Sequence, residues 1–244
     1  MYMEQDLLIR GISIDWDQIP ADSYLRSIPA LRQLEYRSFT SPVTFFSGEN
    51  GTGKSTLLEG IAVAAGFNPE GGTRNYAFST RATHSVLCDA IRLTRSSRRM
   101  LGGYFLRAES FYNVATMEEE YAKGPGGIPH HYHEKSHGES FLALAQDYFQ
   151  GNGLYLLDEP EAALSPQRQL SLIIEIVRCA KQGAQFLIAT HSPILLGIPD
   201  AEILSFDGDE IHPLAYEETE SYRITSMFLN NRERFLKHLL EDTD

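Results

Sequence analysis

The chain has 244 residues, 42% of them hydrophobic, enough to bury the core of one α/β domain with a smaller lobe. Its formal charge of −12, from 21 Lys and Arg against 33 Asp and Glu, argues against a protein that coats nucleic acid or an anionic membrane over its whole surface, while leaving room for a local basic patch. Cys88 and Cys179 have no C-x-x-C spacing, the start Met1-Tyr2-Met3-Glu4-Gln5-Asp6 lacks the basic region of a signal peptide, and no apolar run nears the ~20 residues of a membrane span, so a reducing, cytoplasmic setting is expected.

In chain order, residues 7–14 and 34–47 read as strands around a loop carrying Pro20 and Pro29. A glycine-rich turn and an apolar-faced helix follow. Residues 66–83 are rich in Gly, Asn, Thr and Pro, and 85–94 and 103–106 read as further strands. A short helix is expected over 117–121, and a Gly-, Pro- and His-rich stretch over 124–133. The apolar positions Phe141, Leu142, Ala145 and Phe149 then share one face of a helix over 139–149. A strand over 154–158, a helix over 166–181, strands over 185–190 and 203–206 and a final helix over 219–240 complete the chain. Alternating strands and helices imply a largely parallel sheet covered on both faces. No internal repeat or long heptad run is present.

The most informative segment is Gly48-Glu49-Asn50-Gly51-Thr52-Gly53-Lys54-Ser55-Thr56, a glycine-rich turn between the β-branched and aromatic run Val43-Thr44-Phe45-Phe46-Ser47 and a helix start. Gly48, Gly51 and Gly53 let the backbone wrap with its N–H groups inward. Lys54 can reach β/γ-phosphates and the Ser55 hydroxyl can ligate Mg²⁺, so the segment reads as a nucleoside triphosphate site with ATP and Mg²⁺ as its cofactors. Asn50 and Thr56 belong to the same phosphate cradle. Leu154-Tyr155-Leu156-Leu157-Asp158-Glu159-Pro160 is an apolar strand ending in two acids. Asp158 is expected to hold Mg²⁺ from its outer coordination layer or through water, and Glu159 to polarise the water that attacks the γ-phosphate.

With these two motifs the chain resembles the ATP-binding-cassette (ABC) ATPase superfamily, because three further motifs follow in that family's order. Ser136-His137-Gly138-Glu139-Ser140 resembles the signature motif, which implies that Ser136 and Gly138 meet the γ-phosphate held by the opposite subunit. Ala163-Leu164-Ser165-Pro166 resembles the loop that crosses the dimer interface. His191 in Ala189-Thr190-His191-Ser192-Pro193 resembles the switch histidine that contacts the γ-phosphate or its water. The resemblance covers most of the chain and implies a P-loop NTPase fold with a mainly parallel central sheet, an N-terminal antiparallel β portion and a small helical lobe bearing the signature. Its layout implies one domain over 1–244, with an ATP-binding core at about 1–66 and 153–244 and an inserted lobe at about 67–152.

The sequence departs from the commonest pattern in three places. His137 stands where the signature has its first glycine. Phe105-Leu106-Arg107-Ala108-Glu109-Ser110 carries no glutamine where the family senses Mg²⁺ and couples to a transmembrane partner; Arg107 and Glu109 are the two alternatives. No aromatic is assigned to adenine, and Tyr24 reads better as an ordinary surface tyrosine. These departures, with the Asp158–Pro166 run, look like the soluble RecF, SMC and OLD-type branch, although too few residues separate Thr56 from Ser136 for a long coiled coil. The resemblance implies ATP hydrolysis coupled to ATP-gated homodimerisation and to a DNA or protein partner in repair or defence. The alternatives are the nucleotide-binding subunit of a membrane transporter, disfavoured as a partner class, and a small-molecule phosphotransferase.

Two weaker patterns stand beside these. Arg74, Arg81, Arg92, Arg95, Arg98, Arg99 and Arg107 cluster with only Glu70 and Asp89 among them, and form either a phosphate-backbone track or a solvated face paired with acids elsewhere. His130, His131 and His133 lack a completing ligand and read as a polar loop rather than a metal cluster.

Overall fold

The computed structural model describes residues 6–74, 85–107 and 137–241. Ser136, Glu109, Arg81, the histidines at 130, 131 and 133 and the helix expected over 117–121 lie outside the described residues.

Strands β1 (Ile9–Ile14), β2 (Tyr36–Ser38) and β4 (Ile91–Arg95) make a three-stranded antiparallel sheet in the order β2-β1-β4. The six-stranded sheet runs β5-β6-β7-β3-β8-β9, from β5 (Gly102–Arg107), β6 (Gly153–Asp158), β7 (Gln185–Ala189), β3 (Val43–Ser47), β8 (Glu202–Ser205) and β9 (His212–Pro213). All its pairings are parallel except that of β8 with β9. The expected fold is therefore the observed one: an α/β P-loop NTPase with a mainly parallel sheet and an N-terminal antiparallel portion.

Strands β3, β6 and β7 are buried along their whole length because both sheet faces are covered. Successive side chains alternate between faces. Phe46, Leu154, Leu156, Leu187 and Ala189 face a core shared with the smaller sheet and helix α2 (Lys54–Ala65). Phe45, Tyr155, Leu157, Phe186 and Ile188 face a second core beneath α4 (His137–Tyr148) and α5 (Pro166–Lys181). Gln185 joins the two sheets, since its buried side chain accepts from the Ile9 N–H and donates to the Ile9 carbonyl, each at 2.8 Å. Of the stretch expected as an inserted lobe, residues 91–107 supply β4 to the smaller sheet and β5 to the larger.

Three expected elements differ. The strand over 34–47 is two strands in different sheets, divided by Phe39-Thr40-Ser41-Pro42, where Pro42 offers no N–H to a ladder. The strand over 85–94 begins as a short helix, α3 (Leu87–Ala90), before β4. Ser85 starts that turn, its hydroxyl accepting from Leu87 N (3.3 Å) and its carbonyl from Cys88 N (2.9 Å). The final helix is two, α7 (Glu220–Asn230) and α8 (Arg232–Glu241), broken at Asn231, whose φ of −139° leaves the helical region. Two further short helices, α1 (Pro29–Arg32) and α6 (Pro193–Leu196), flank the loops that follow.

Candidate functional site

The phosphate loop joins β3 to α2, and its glycines are conformationally required. Gly48, Gly51 and Gly53 have φ of 143°, 82° and 98°, values that side-chain-bearing residues rarely adopt. Asp207, beyond β8, pins the shoulder of the loop by accepting from Glu49 N at 2.8 Å, and a Cβ on Gly48 would stand 2.9 Å from that same carboxylate oxygen. Thr52 Oγ1 donates to Glu49 O at 2.8 Å across the turn. Asn50 and Gly51 are exposed at the tip, whereas Ser55 and Thr56 are half-buried in the first turn of α2.

Lys54 is only 4% exposed, and its ammonium donates to the carbonyls of Gly48 (2.6 Å) and Glu49 (2.7 Å). Burial pulls its pKa below the ordinary 10.5, against the opposing pull of Glu159, Asp207, Asp158 and Glu161. The loop thus holds a cation that has shed most of its water, a strong point charge for an anion.

Ser55 Oγ donates to Asp158 Oδ1 at 2.8 Å, joining the start of α2 to the end of β6. Asp158 is buried, and Arg107 ends the neighbouring strand in register with it. The Arg107 guanidinium reaches Glu59 Oε2 on α2 (2.7 Å) and lies 3.6 Å from Asp158 Oδ2, while its Nε has no hydrogen-bond partner among the described residues. Of the two expected substitutes for the missing glutamine, Arg107 therefore stands beside the end of the acid strand; Glu109 is outside the described residues. The Ser55 and Asp158 oxygens are the hard donors that Mg²⁺ takes when phosphate and water complete its shell. No group of three His, Cys, Asp or Glu suited to a metal occurs among the described residues.

Glu159 adopts a left-handed backbone, φ 50° and ψ 51°, held by its N–H to Ala189 O at 2.9 Å. A non-glycine residue there carries strain of about 1–3 kcal/mol, which the β6 and β7 strand ends hold in place. Its Oε1 lies 3.9 Å from His191 Nε2. Two residues not singled out from the sequence fix this corner. Glu161 Oε1 accepts from His191 N at 2.6 Å, and Gln169 on α5 accepts from Ser192 Oγ at 2.5 Å while donating to Leu164 O. Glu161 was visible in the Asp158–Glu161 run; Gln169 and Asp207 carried no local signal.

Gly138 is buried in the first turn of α4, where an added Cβ would come 2.7 Å from Arg168 Nη1 and 3.0 Å from Ala163 O. Arg168 also pairs with Glu139 at 3.0 Å. The described part of the signature thus packs on the Ala163–Pro166 segment. Tyr24 is 59% exposed, touches Ser85 Oγ at 3.3 Å and lines neither cleft beside the phosphate loop.

Among the clustered arginines, Arg95 donates to Ala64 O, Arg92 to the Asp89 and Ile91 carbonyls, Arg98 to the Asp6 and Gly183 carbonyls and the Asn152 side chain, and Arg107 turns to the site.

Two family models match the sequence. One, described as an AAA domain, matches residues 24–99, and another, described as an AAA domain, candidate AbiEii toxin, Type IV TA system, matches residues 131–197. No curated protein matches. Similar solved structures include the SMC head domain from Thermotoga maritima, 13% identical over 86% of this chain and 100% of that one, with a TM-score of 0.46. CbiO1 from Clostridium perfringens, part of the ABC transporter complex CbiONQ, is 15% identical over 85% and 91% of the two chains with a TM-score of 0.46. An SMC head bound to the C-terminal winged-helix domain of ScpA is 12% identical over 74% and 92%, with a TM-score of 0.43. Both matching models are AAA domains, one taking in the phosphate loop and the other the strand with its paired acids, so over these two segments the chain is similar to AAA-type P-loop ATPases.

Proposed function

We propose that the chain is a Mg²⁺-dependent ATPase whose ATP-bound form is a head-to-tail homodimer, each pocket combining one subunit's phosphate loop with the other's signature residues. What supports this reading is the 2.8 Å bond from Ser55 Oγ to Asp158 Oδ1, which joins the helix after the phosphate loop to the end of the acid strand across 103 residues of chain. Lys54 would exchange its carbonyl contacts for β/γ-phosphate oxygens, with Gly48, Asn50, Gly51, Gly53 and Thr56 completing the cradle. Ser55 and Asp158 would hold Mg²⁺, which when bound screens the charge of the phosphates. Glu159 would take a proton from water as the water oxygen bonds to γ-phosphorus and the β–γ bridging bond breaks, releasing ADP and phosphate. His191, beside Glu159, would orient that water or the γ-phosphate. Ser136 and Gly138 would supply the contact from the opposite subunit.

We assign the chain to the soluble, RecF/SMC/OLD-like branch, acting in the cytoplasm on a DNA or protein partner in repair or defence. Cys88 and Cys179 are free and buried, with burial pushing the Cys88 thiol up to about 12, as suits inert thiols in a reducing compartment. No helix among the described residues is long and apolar enough to cross a membrane.

The test is phosphate release by purified protein with ATP, with and without Mg²⁺, and with double- and single-stranded DNA. The expected result is Mg²⁺-dependent release. Absence of ATP binding and turnover overturns the reading. Stimulation by DNA identifies the partner class, and its absence moves the search to proteins.

A further inference from the structure

The order of the large sheet gives a bound triphosphate a direction. Asp158 ends β6 and His191 follows β7, and both strands lie on one side of β3, whereas β8 and β9 lie on the other. If the metal-binding end of the triphosphate faces Asp158, its nucleoside leaves the phosphate loop toward β8 and β9. A cleft of about 1310 Å³ opens on that side. Its walls are the loop tip at Asn50 and Gly51, the turn Asp207-Gly208-Asp209 and one face of α7. A smaller neighbouring cleft runs from His191 and Gly48 to the start of α7, and Asn50, Asp207 and Ile224 line both, so the two are continuous along the phosphate loop.

The chemistry of the walls selects an occupant. Helix α7 buries none of its residues, yet it presents Ile224 and Met227, 48% and 49% exposed, to the cleft together with Tyr222. A flat apolar ring can cover such a surface, whereas free polyphosphate cannot. Asp207, Asp209, Glu218 and Glu220 also line the cleft. These four carboxylates, against the single guanidinium of Arg223, disfavour a further anion and can accept from ribose hydroxyls and from an exocyclic amine. The walls are tied to the phosphate loop through the bond from Glu49 N to Asp207, and to α1 through the 2.6 Å ion pair of Arg32 with Asp209.

We infer that this cleft is the nucleoside subsite, with Ile224 and Met227 of α7 against the base and the acidic turn after β8 toward ribose and an amine-bearing base such as adenine. The inference rests on the phosphate-loop reading above. It supplies an adenine contact from the C-terminal helix, where no aromatic could be assigned from the sequence.

Met227→Glu and Ile224→Glu change exposed side chains, and thermal melting confirms that each variant folds. Calorimetry with Mg²⁺ then compares ATP, GTP and inorganic tripolyphosphate. The expected result is at least a tenfold loss of ATP affinity in either variant, unchanged tripolyphosphate affinity, and wild-type preference for ATP over GTP. Photolabelling of wild-type protein with 8-azido-ATP should mark peptides within residues 205–231. Unchanged ATP affinity in both variants, or label confined to residues 16–37, overturns the subsite and leaves the phosphate loop standing. If wild type binds neither ATP nor tripolyphosphate, the phosphate-loop reading fails and this inference with it.

Discussion

Arg107 and Asp158 end adjacent parallel strands in register, and the arginine stands between Asp158 at 3.6 Å and Glu59 at 2.7 Å. One guanidinium is thus the shared counter-charge for a carboxylate of α2 and the carboxylate that Ser55 also binds. Where the family resemblance leads one to expect an uncharged glutamine, this chain has a fixed cation beside the proposed metal site.

Arg107→Met should leave both acids without that counter-charge. Turnover is expected to fall about 10–100-fold, with a shift in the Mg²⁺ concentration that gives half-maximal rate. Arg107→Lys should recover part of the loss, because it restores charge without the planar fork. A lower melting temperature with an unchanged Mg²⁺ dependence would make Arg107 purely structural.

Lys54→Met should abolish most ATP affinity in calorimetry, since it removes the buried charge aimed at the β/γ-phosphates. It should not destabilise the fold. Burial depresses the lysine's pKa, so its charge costs stability in full below the folded-state value. Between that value and 10.5 the unfolded chain binds more protons, so this cost shrinks as pH rises. Urea midpoints of wild type and variant should therefore converge toward alkaline pH; a variant less stable than wild type at pH 7 contradicts this balance.

Glu159→Gln should retain ATP and Mg²⁺ while slowing hydrolysis by about 10²–10⁴, or ~3–5 kcal/mol of barrier. Light scattering should then find an ATP-dependent dimer. An unchanged turnover rate would move the proton-accepting role to His191, 3.9 Å away.

The composite pocket predicts complementation between two dead proteins. Ser136→Arg and Lys54→Ala should each lack turnover alone, and mixing them should restore one intact pocket, with the phosphate loop from the first and the signature from the second. Full activity of Ser136→Arg by itself would show that the signature makes no contact across the interface.

Arg98 bonds to segments at residues 6, 152 and 183, so its role among the clustered arginines is to tie the chain together. Arg98→Ala should cost about 1–3 kcal/mol in urea unfolding. If DNA affinity falls while stability holds, the phosphate-track reading of this stretch regains its footing.

The phosphate loop and the paired acids were legible in the sequence because their chemistry is local. Glycines at fixed offsets, a lysine and serine opening a helix, and two acids ending an apolar strand each announce themselves within a few residues. The alternating strands and helices likewise implied a parallel sheet, since a strand covered on both faces reads as a near-continuous apolar run. What joins these pieces is not local. Nothing in the Phe105–Ser110 segment placed Arg107 beside Asp158 until β5 was paired with β6, and nothing around Asp207 marked it as the anchor of Glu49 until β8 was laid beside β3. Gln185 reads as a strand residue but serves as the tie between two sheets, and Arg95 and Arg98 of the basic cluster donate to carbonyls in other segments. These roles depend on tertiary packing, which brings residues 31 to 176 positions apart within hydrogen-bonding distance, and that packing is set by the whole sheet rather than by any segment of it.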